Sequence, residues 1–321
     1  MRVLSGIQPS GALHIGNYFG AIKQYIELQR EHEGLYFVAN YHALTSLHDA
    51  AALRAATLEV AVSFLALGLD PEVATIFVQS DVPEVTELTW LLACVTPVGL
   101  LERCHAYKDK VSQGIAAEHG LFTYPVLMAA DILIYDSNLV PVGQDQKQHV
   151  EVTRDLAERF NSRYEREVFV IPEPLILEEV AVVPGLDGRK MSKSYGNTID
   201  IFDEPGVLKK KIMALKTDSA PVEAPKDPDA SNIFQLFRLF APAPEQTEMR
   251  ERFSRGGVGY GELKKRTVEL ASEYFAEARE KRQELLAHPE RVREILAAGA
   301  AKARALARPT LERAREACGM W

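Results

Sequence analysis

Short apolar runs alternating with helical stretches constrain the front of this chain more than any other feature. Arg2–Ile7, Leu35–Ala39 and Thr75–Gln79 read as buried strands, and Val168–Ile171 as a further short one. Between the first three, about Ile15–Arg30 and Leu53–Leu67 carry apolar residues at helical spacing, the second stopped by Gly68. Alternation of this kind predicts an α/β fold: a doubly wound parallel sheet of Rossmann-like type with helices on both faces. Ligands of such sheets sit at the carboxyl ends of the strands, near the point where the strand order reverses.

The texture changes after Pro184-Gly185. Asp203–Leu215, Ser231–Phe240, Glu262–Leu286 and Pro289–Ala317 predict helices, and the Pro- and Asp-rich stretch Thr217–Ala230 predicts a loop. With 321 residues there is room for two units, and 47% hydrophobic residues exclude a disordered chain. No run of about 18 apolar residues occurs and no apolar leader core follows Met1, so a cytoplasmic protein with no membrane contact is expected. Cys94, Cys104 and Cys318 form no C-x-x-C pair, and no protein-held metal is expected. The formal charge of -8 argues against indiscriminate coating of nucleic acid. Residues 1–200 hold 15 basic against 26 acidic groups, whereas residues 201–321 hold 22 against 19. A nucleic-acid contact confined to the back half fits that asymmetry, and so does an ordinary solvated helical surface.

Three clusters carry chemistry. In Ser5-Gly6-Ile7-Gln8-Pro9-Ser10-Gly11-Ala12-Leu13-His14-Ile15-Gly16-Asn17 a strand runs through a turn into a helix start, where free N–H groups suit a phosphate. Gly16 lets a flat ring approach the backbone, and His14 and Asn17 can donate hydrogen bonds. Gly185–Gly196 is a glycine-flanked loop holding Lys190-Met191-Ser192-Lys193-Ser194, whose two ammonium groups can neutralise a departing polyphosphate. In Tyr124–Tyr135 a single carboxylate, Asp131, sits in an apolar helix. Buried there it needs a hydrogen-bonding or cationic partner, such as an arginine, a helix N-terminus, or the N–H of a ligand. An indole, donor-only at nitrogen and otherwise apolar, fits that last reading. Val140-Pro141-Val142 then offers two β-branched walls before the polar turn Gly143-Gln144-Asp145-Gln146.

The pairing of H-I-G-N with K-M-S-K-S resembles the signature of class I aminoacyl-tRNA synthetases. Together with S-G-I-Q-P-S-G, Y-P-x-L-M-A-A-D-I-L, V-P-V-G-x-D-Q-K-Q-H and T-R-D-L-A-E-R-F-N, it makes the chain similar nearly end to end to the bacterial tryptophanyl-tRNA synthetases. The resemblance implies a sheet domain of the HUP type at residues 1–185 and an α-helical anticodon-binding domain at 186–283. A C-terminal helix at 284–321 would pack back on the first domain. It implies ATP and L-tryptophan as substrates, Mg2+ as counter-ion, tRNA(Trp) as acceptor, and a homodimer. Gln8, Pro9, Ser10, Gly16 and Asn17 would contact ATP, with His14 near its phosphates; His14, Asn17, Lys190 and Lys193 would be catalytic. Gly143, Gln144 and Asp145 would hold the ribose and adenine side, helped by backbone near Val183, and Lys190, Met191, Ser192, Lys193 and Ser194 would close over pyrophosphate. Asp131 would accept the indole N–H; Leu4, Met128, Val140 and Val142 would line the ring; Gln8, Tyr124 and Gln146 would hold the polar ends; and His42 would face the pocket.

Cys104-His105-Ala106 departs from the Met-Thr-Gln commoner in that family, which places a titratable His105 near the pocket; a surface histidine is the plainer reading. Only Cys318 falls in the helical part, so the iron–sulfur cluster of some relatives is not expected. Gly256–Gly261 reads as a flexible connector. Lys209-Lys210-Lys211 and Lys264-Lys265-Arg266 are solvated faces or, in a tRNA enzyme, phosphate contacts. A tyrosyl-specific relative and an auxiliary paralogue with a binding or regulatory role are the alternatives to a tryptophan–tRNA ligase.

Overall fold

The computed structural model describes residues 1–104, 107, 118–143, 146–176 and 183–320. Two compact units emerge: Met1–Gly11, Tyr25–Leu177 and Leu285–Trp321 form one, and Ala12–Gln24 with Glu178–Glu284 form the other.

The first unit is built on a parallel sheet. Strands β1 (Arg2–Ile7), β2 (Glu33–Val38), β3 (Thr75–Val78), β4 (Leu139–Val142) and β5 (Glu173–Ile176) lie in the order β3-β2-β1-β4-β5. Leu4 pairs with Leu35 and Val3 with Leu139, so the order reverses between β1 and β4. The segment Val168–Ile171 is not a strand, contrary to its apolar pattern. Asn161 Oδ1 accepts from the N–H groups of Val168 and Phe169, and its amide donates to the Phe169 carbonyl. Backbone groups occupied by a side chain cannot enter a ladder, and pairing starts only at Glu173.

The helices of the front half of the chain, the earliest in the second unit and the rest in or reaching the first, follow from ordinary signals. Helix α1 (Ile15–Asn17) passes through a wide turn, Tyr18–Ile22, into α2 (Lys23–Leu28), so the single helix read over 15–30 is interrupted. Next come α3 (Asn40–Ala43), α4 (Ala50–Leu67), α5 (Glu84–Ala93), α6 (Val98–Glu102), α7 (His119–Leu133) and α8 (Lys147–Arg163). Asp49 caps α4, its Oδ1 accepting from the Ala52 N–H at 2.8 Å, and Gly68 ends it at φ 116°. Among the described residues α4 is the one helix long and apolar enough to cross a membrane, but it carries Arg54 and Glu59 and buries Val60–Ala66 in the core.

The second unit holds α9 (Pro205–Met213), α10 (Asn232–Phe240), α11 (Ala243–Arg255), α12 (Tyr260–Tyr274) and α13 (Ala276–Ala287). The stretch Glu262–Leu286 is therefore two helices. The break falls at buried Phe275, whose ring meets those of Tyr18 at 5.1 Å and Phe240 at 5.9 Å. Finally α14 (Pro289–Ala317) belongs to the first unit and covers the edge strand β3. A Cβ at Gly299 would stand 1.9 Å from the Ile76 carbonyl oxygen, so only glycine lets the helix lie this close.

Candidate active site

At the carboxyl ends of β2 and β3 the first unit builds a polar knot in an apolar surround. Asp131, on α7, is 2% exposed. Gln79, directly after β3, donates from Nε2 to both of its oxygens, at 2.9 Å and 2.7 Å, and His42 Nε2, on α3, reaches Oδ2 at 2.9 Å. The Tyr41 N–H donates to Gln79 Oε1 at 3.0 Å, which fixes the amide's orientation: its oxygen faces the backbone and its NH2 faces the carboxylate. Facing a group that only accepts, His42 Nε2 is the donor. One amide N–H is shared between the two carboxylate oxygens and His42 adds a second donor at Oδ2 alone, so Oδ1, with that shared bond only, keeps acceptor capacity for a further donor. The partners are thus an amide and an imidazole rather than an arginine or a helix end, and Gln79 escapes the sequence reading altogether.

The apolar residues proposed for the ring fall in the core of the first unit. Leu4 (β1), Val140 and Val142 (β4) are buried in one cluster with the apolar face of α7, and Met128 packs against it. Tyr124, one turn from Met128, places its hydroxyl 2.7 Å from His149 Nε2 and its ring edge-on to His42 at 6.3 Å. Burial, then the nearby Cys104, pushes the Tyr124 phenol up to about 12, so it remains a neutral hydroxyl. Exposed Gln8 reaches the His42 carbonyl at 3.4 Å and Ser46 Oγ at 3.5 Å. Exposed Gly143 accepts from the N–H of Gln146 at 3.0 Å. A cleft of about 690 Å³ opens beside the knot, lined in part by His42, Tyr124, Thr45, His48 and Glu118. Gln144 and Asp145 lie outside the described residues, as do His105 and Ala106.

The second unit assembles the other candidate groups. His14 is the N-cap of α1: its Nδ1 accepts from the Asn17 N–H at 3.3 Å, while its own N–H donates to Asn17 Oδ1 at 3.1 Å. This reciprocal capping box leaves Nδ1 without a proton and therefore puts the neutral ring's proton on Nε2. Burial, reinforced by the Lys193 ammonium and opposed by Asp200, pushes His14 down to about 4. His14 also bridges to Asp200 through the backbone. Pro9 is buried and Ser10 exposed at the turn before it.

The lysine loop has a stiff root. The Met191 N–H donates to the Val183 carbonyl and the Gly185 N–H to the Arg189 carbonyl, at 2.9 Å and 2.7 Å. Buried Asn197 ties the root together, accepting from the Ser192 N–H and donating to Asp187 and the Lys190 carbonyl. A Cβ at Gly185 would fall 2.2 Å from Asn197 Nδ2, so this glycine serves close packing, while Gly188 (φ 86°) and Gly196 (φ 62°) hold left-handed turns. Met191 is buried, whereas Lys190 and Ser194 are exposed and Ser192 and Lys193 half-buried. Burial, countered by Asp200, holds Lys193 below the ordinary lysine range. Of the basic clusters, Lys211 pairs with Asp203 at 2.7 Å, Lys264 donates to the Met213 and Leu215 carbonyls, and Arg266 is held by Glu245 and Glu269. Lys209, Lys210 and Lys265 are the exposed members.

A parallel sheet that reverses order at β1, a histidine-capped helix following that strand, and a rooted lysine loop define a class I aminoacyl-tRNA synthetase. The chain belongs to the branch described as tRNA synthetases class I (W and Y), whose family model matches residues 1–276. Among curated relatives, a protein of Rhodopirellula baltica named tryptophan–tRNA ligase is 56% identical over 320 residues, spanning 100% of both chains. One of the same name from Fusobacterium nucleatum is 54% identical and covers 99% of this chain and 98% of its own. The crystal structure of Campylobacter jejuni tryptophanyl-tRNA synthetase with ADP and tryptophan superposes with a TM-score of 0.92 at 52% identity, again over 100% of both chains.

Proposed function

We propose that this chain is a tryptophan–tRNA ligase. It activates L-tryptophan with ATP to tryptophanyl-adenylate and pyrophosphate, then transfers the tryptophanyl group to the terminal adenosine of tRNA(Trp). The observation that carries the reading is Asp131: a buried carboxylate held by Gln79 and His42 with acceptor capacity left on Oδ1, on a helix whose apolar residues join Leu4, Val140 and Val142 in one core cluster. An indole N–H satisfies that acceptor, and an analogue without it leaves a desolvated lone pair, at a cost of about 1–3 kcal/mol. That the Campylobacter jejuni relative was solved with ADP and tryptophan supports the choice of ligands.

The chemistry asks for alignment more than for proton transfer. Tryptophan's carboxylate, ionised near neutrality, attacks the α-phosphorus; the bond to the bridging oxygen breaks and pyrophosphate leaves with the electron pair. Neutral His14 donates from Nε2 to phosphate oxygens, with Asn17 and Gly16 keeping its ring in place. Lys190 and Lys193 meet the charge that accumulates on pyrophosphate, with Met191 and Ser192 seating the loop and Ser194 at its exposed end. Gln8, Tyr124 and Gln146 hold the amino acid's polar ends. Pro9, Ser10, Gly143, Gln144, Asp145 and the backbone at Val183 take the nucleoside. Magnesium enters as ATP's counter-ion. Residues 1–185 form the catalytic domain, helices of 186–283 read the anticodon, and 284–321 return to the sheet; the enzyme works as a cytoplasmic homodimer. Amino-acid-dependent ATP–pyrophosphate exchange and charging of tRNA(Trp) test the reading. Exchange supported by tyrosine in preference to tryptophan, or by neither, overturns it.

A further inference from the structure

Two carboxylates that ion-pair with the C-terminal helix each follow, by five residues in sequence, a member of the Asp131 knot. Glu84 lies five residues beyond Gln79, and Asp136 five residues beyond Asp131. Arg304 Nε and Arg308 Nε, both on α14, donate to Glu84 Oε1 at 2.9 Å and 3.3 Å, fastening the first turn of α5. Arg313 Nη2 donates to both oxygens of Asp136, at 2.7 Å and 2.9 Å, and buried Thr310 adds a bond at 3.2 Å. Asp136 holds φ 49°, a left-handed conformation that a non-glycine residue keeps only where its surroundings over-determine it. It follows the end of α7, the helix that aims Asp131.

Tyr135, the residue before Asp136, lies within reach of the charges of both Asp131 and Glu84. Its buried phenol is pushed up by burial and then by the carboxylates of Asp131 and Glu84, so both charges act on one spot. Burial alone would raise the Glu84 carboxyl, but its own backbone amide and the guanidinium groups of Arg304 and Arg308 outweigh that and keep it ionised. Without those arginines a second charge competes with Asp131 in the same apolar region.

We propose that Arg313, with Arg304 and Arg308, positions Asp131 for the indole N–H, making α14 a specificity brace as well as a cover for the sheet edge. The inference rests on the reading of Asp131 as that acceptor. The brace acts only through α5 and α7, so it changes recognition of the donor without touching the ligand.

The test compares L-tryptophan with L-3-(benzothienyl)alanine, which replaces the indole N–H by sulfur at nearly the same shape, in ATP–pyrophosphate exchange by the full-length protein. Arg313→Met is expected to raise the KM for tryptophan about 5- to 10-fold, the range of a charge-assisted hydrogen bond weakened rather than lost. The KM for ATP and kcat should stay within about twofold, and the tryptophan-to-analogue ratio of kcat/KM should fall by the same factor as KM rises. Arg313→Lys should restore part of that ratio. A ratio unchanged in Arg313→Met overturns the brace, even where activity or melting temperature drops. Should Arg313→Met be insoluble, the same ratio is measured in Arg304→Met with Arg308→Met, at the other cluster. There too a fall supports the brace and an unchanged ratio overturns it. A wild-type ratio near one instead removes Asp131 as the acceptor, and the brace with it.

Discussion

Replacing Gly16 by alanine separates the catalytic from the structural use of the histidine cap. A Cβ at position 16 would stand 2.9 Å from His14 Nδ1, 3.0 Å from its Cε1 and 3.6 Å from Met191 Cβ. Met191 is buried and rooted through its N–H to Val183, so the imidazole is the group that yields. Swinging it breaks the 3.3 Å bond from the Asn17 N–H. Loss of a cap costs about 0.5–2 kcal/mol, whereas alanine for glycine inside a helix returns about 0.8–1 kcal/mol. Net stability should therefore change by no more than about 1 kcal/mol, a shift in Tm of a few degrees. Activity has no such compensation. In the proposed mechanism, displacing Nε2 removes one hydrogen bond to charged phosphate, worth about 1.5–3 kcal/mol, which is roughly 10- to 150-fold in kcat. ATP–pyrophosphate exchange at saturating tryptophan, beside a thermal melt, gives both numbers. A variant with wild-type kcat and wild-type Tm would refute the claim that the ring's capping position matters to phosphate chemistry.

The same histidine sets a pH dependence. Its value falls from the ordinary 6.5 to about 4 on folding, so the unfolded chain binds more protons between those limits. The stability that neutral His14 contributes is complete above pH 6.5 and is lost as pH falls towards about 4. His14→Asn keeps a capping side chain and removes the titration, so the Tm of wild type should drop relative to that variant over this window; parallel curves would refute it. Asp131→Asn should lower kcat/KM for tryptophan by about 10- to 150-fold, because its new NH2 must face an N–H of Gln79 or His42 or the indole itself. Steady-state kinetics with unchanged ATP parameters is the check. Neutralising Lys209, Lys210 or Lys265 should flatten the salt dependence of tRNA binding by about 0.7–0.9 in log–log slope for each true phosphate contact. Lys211, Lys264 and Arg266, already committed to protein partners, should cost stability instead, as denaturation curves would show.

What the sequence discloses of the fold tracks how far each element depends on its own residues. β1, β2, β3 and α14 carry their patterns in uninterrupted apolar or amphipathic runs, and each lies within a few residues of its expected bounds. β4 reads as two valine walls only, since Pro141 lies in the middle of a four-residue strand and a proline argues against a central strand. β5 is obscured for the opposite reason: Val168–Ile171 has the better strand composition, but Asn161 takes its backbone groups from outside the segment. The break between α12 and α13 is equally non-local, decided by the aromatic contacts of Phe275.

The site divides along the same line. His14, Asn17 and the lysine loop stand out because their neighbours in sequence are their neighbours in space: the capping box closes over three residues and the loop root over Val183–Asn197. Asp131 announces itself by being charged in an apolar helix, but its partners come from 52 and 89 positions away in the chain, and no local pattern marks them. One signal does exist. A glutamine directly after the apolar run of β3 sits where the carboxyl end of a parallel strand delivers its next side chain, which is where this class of sheet binds ligands. Gln79 satisfies that rule and Gln8, after β1, satisfies it too. A polar residue directly after a buried strand, as at β1 and β3, is therefore the place to look first, and the buried carboxylate tells which of those residues must donate.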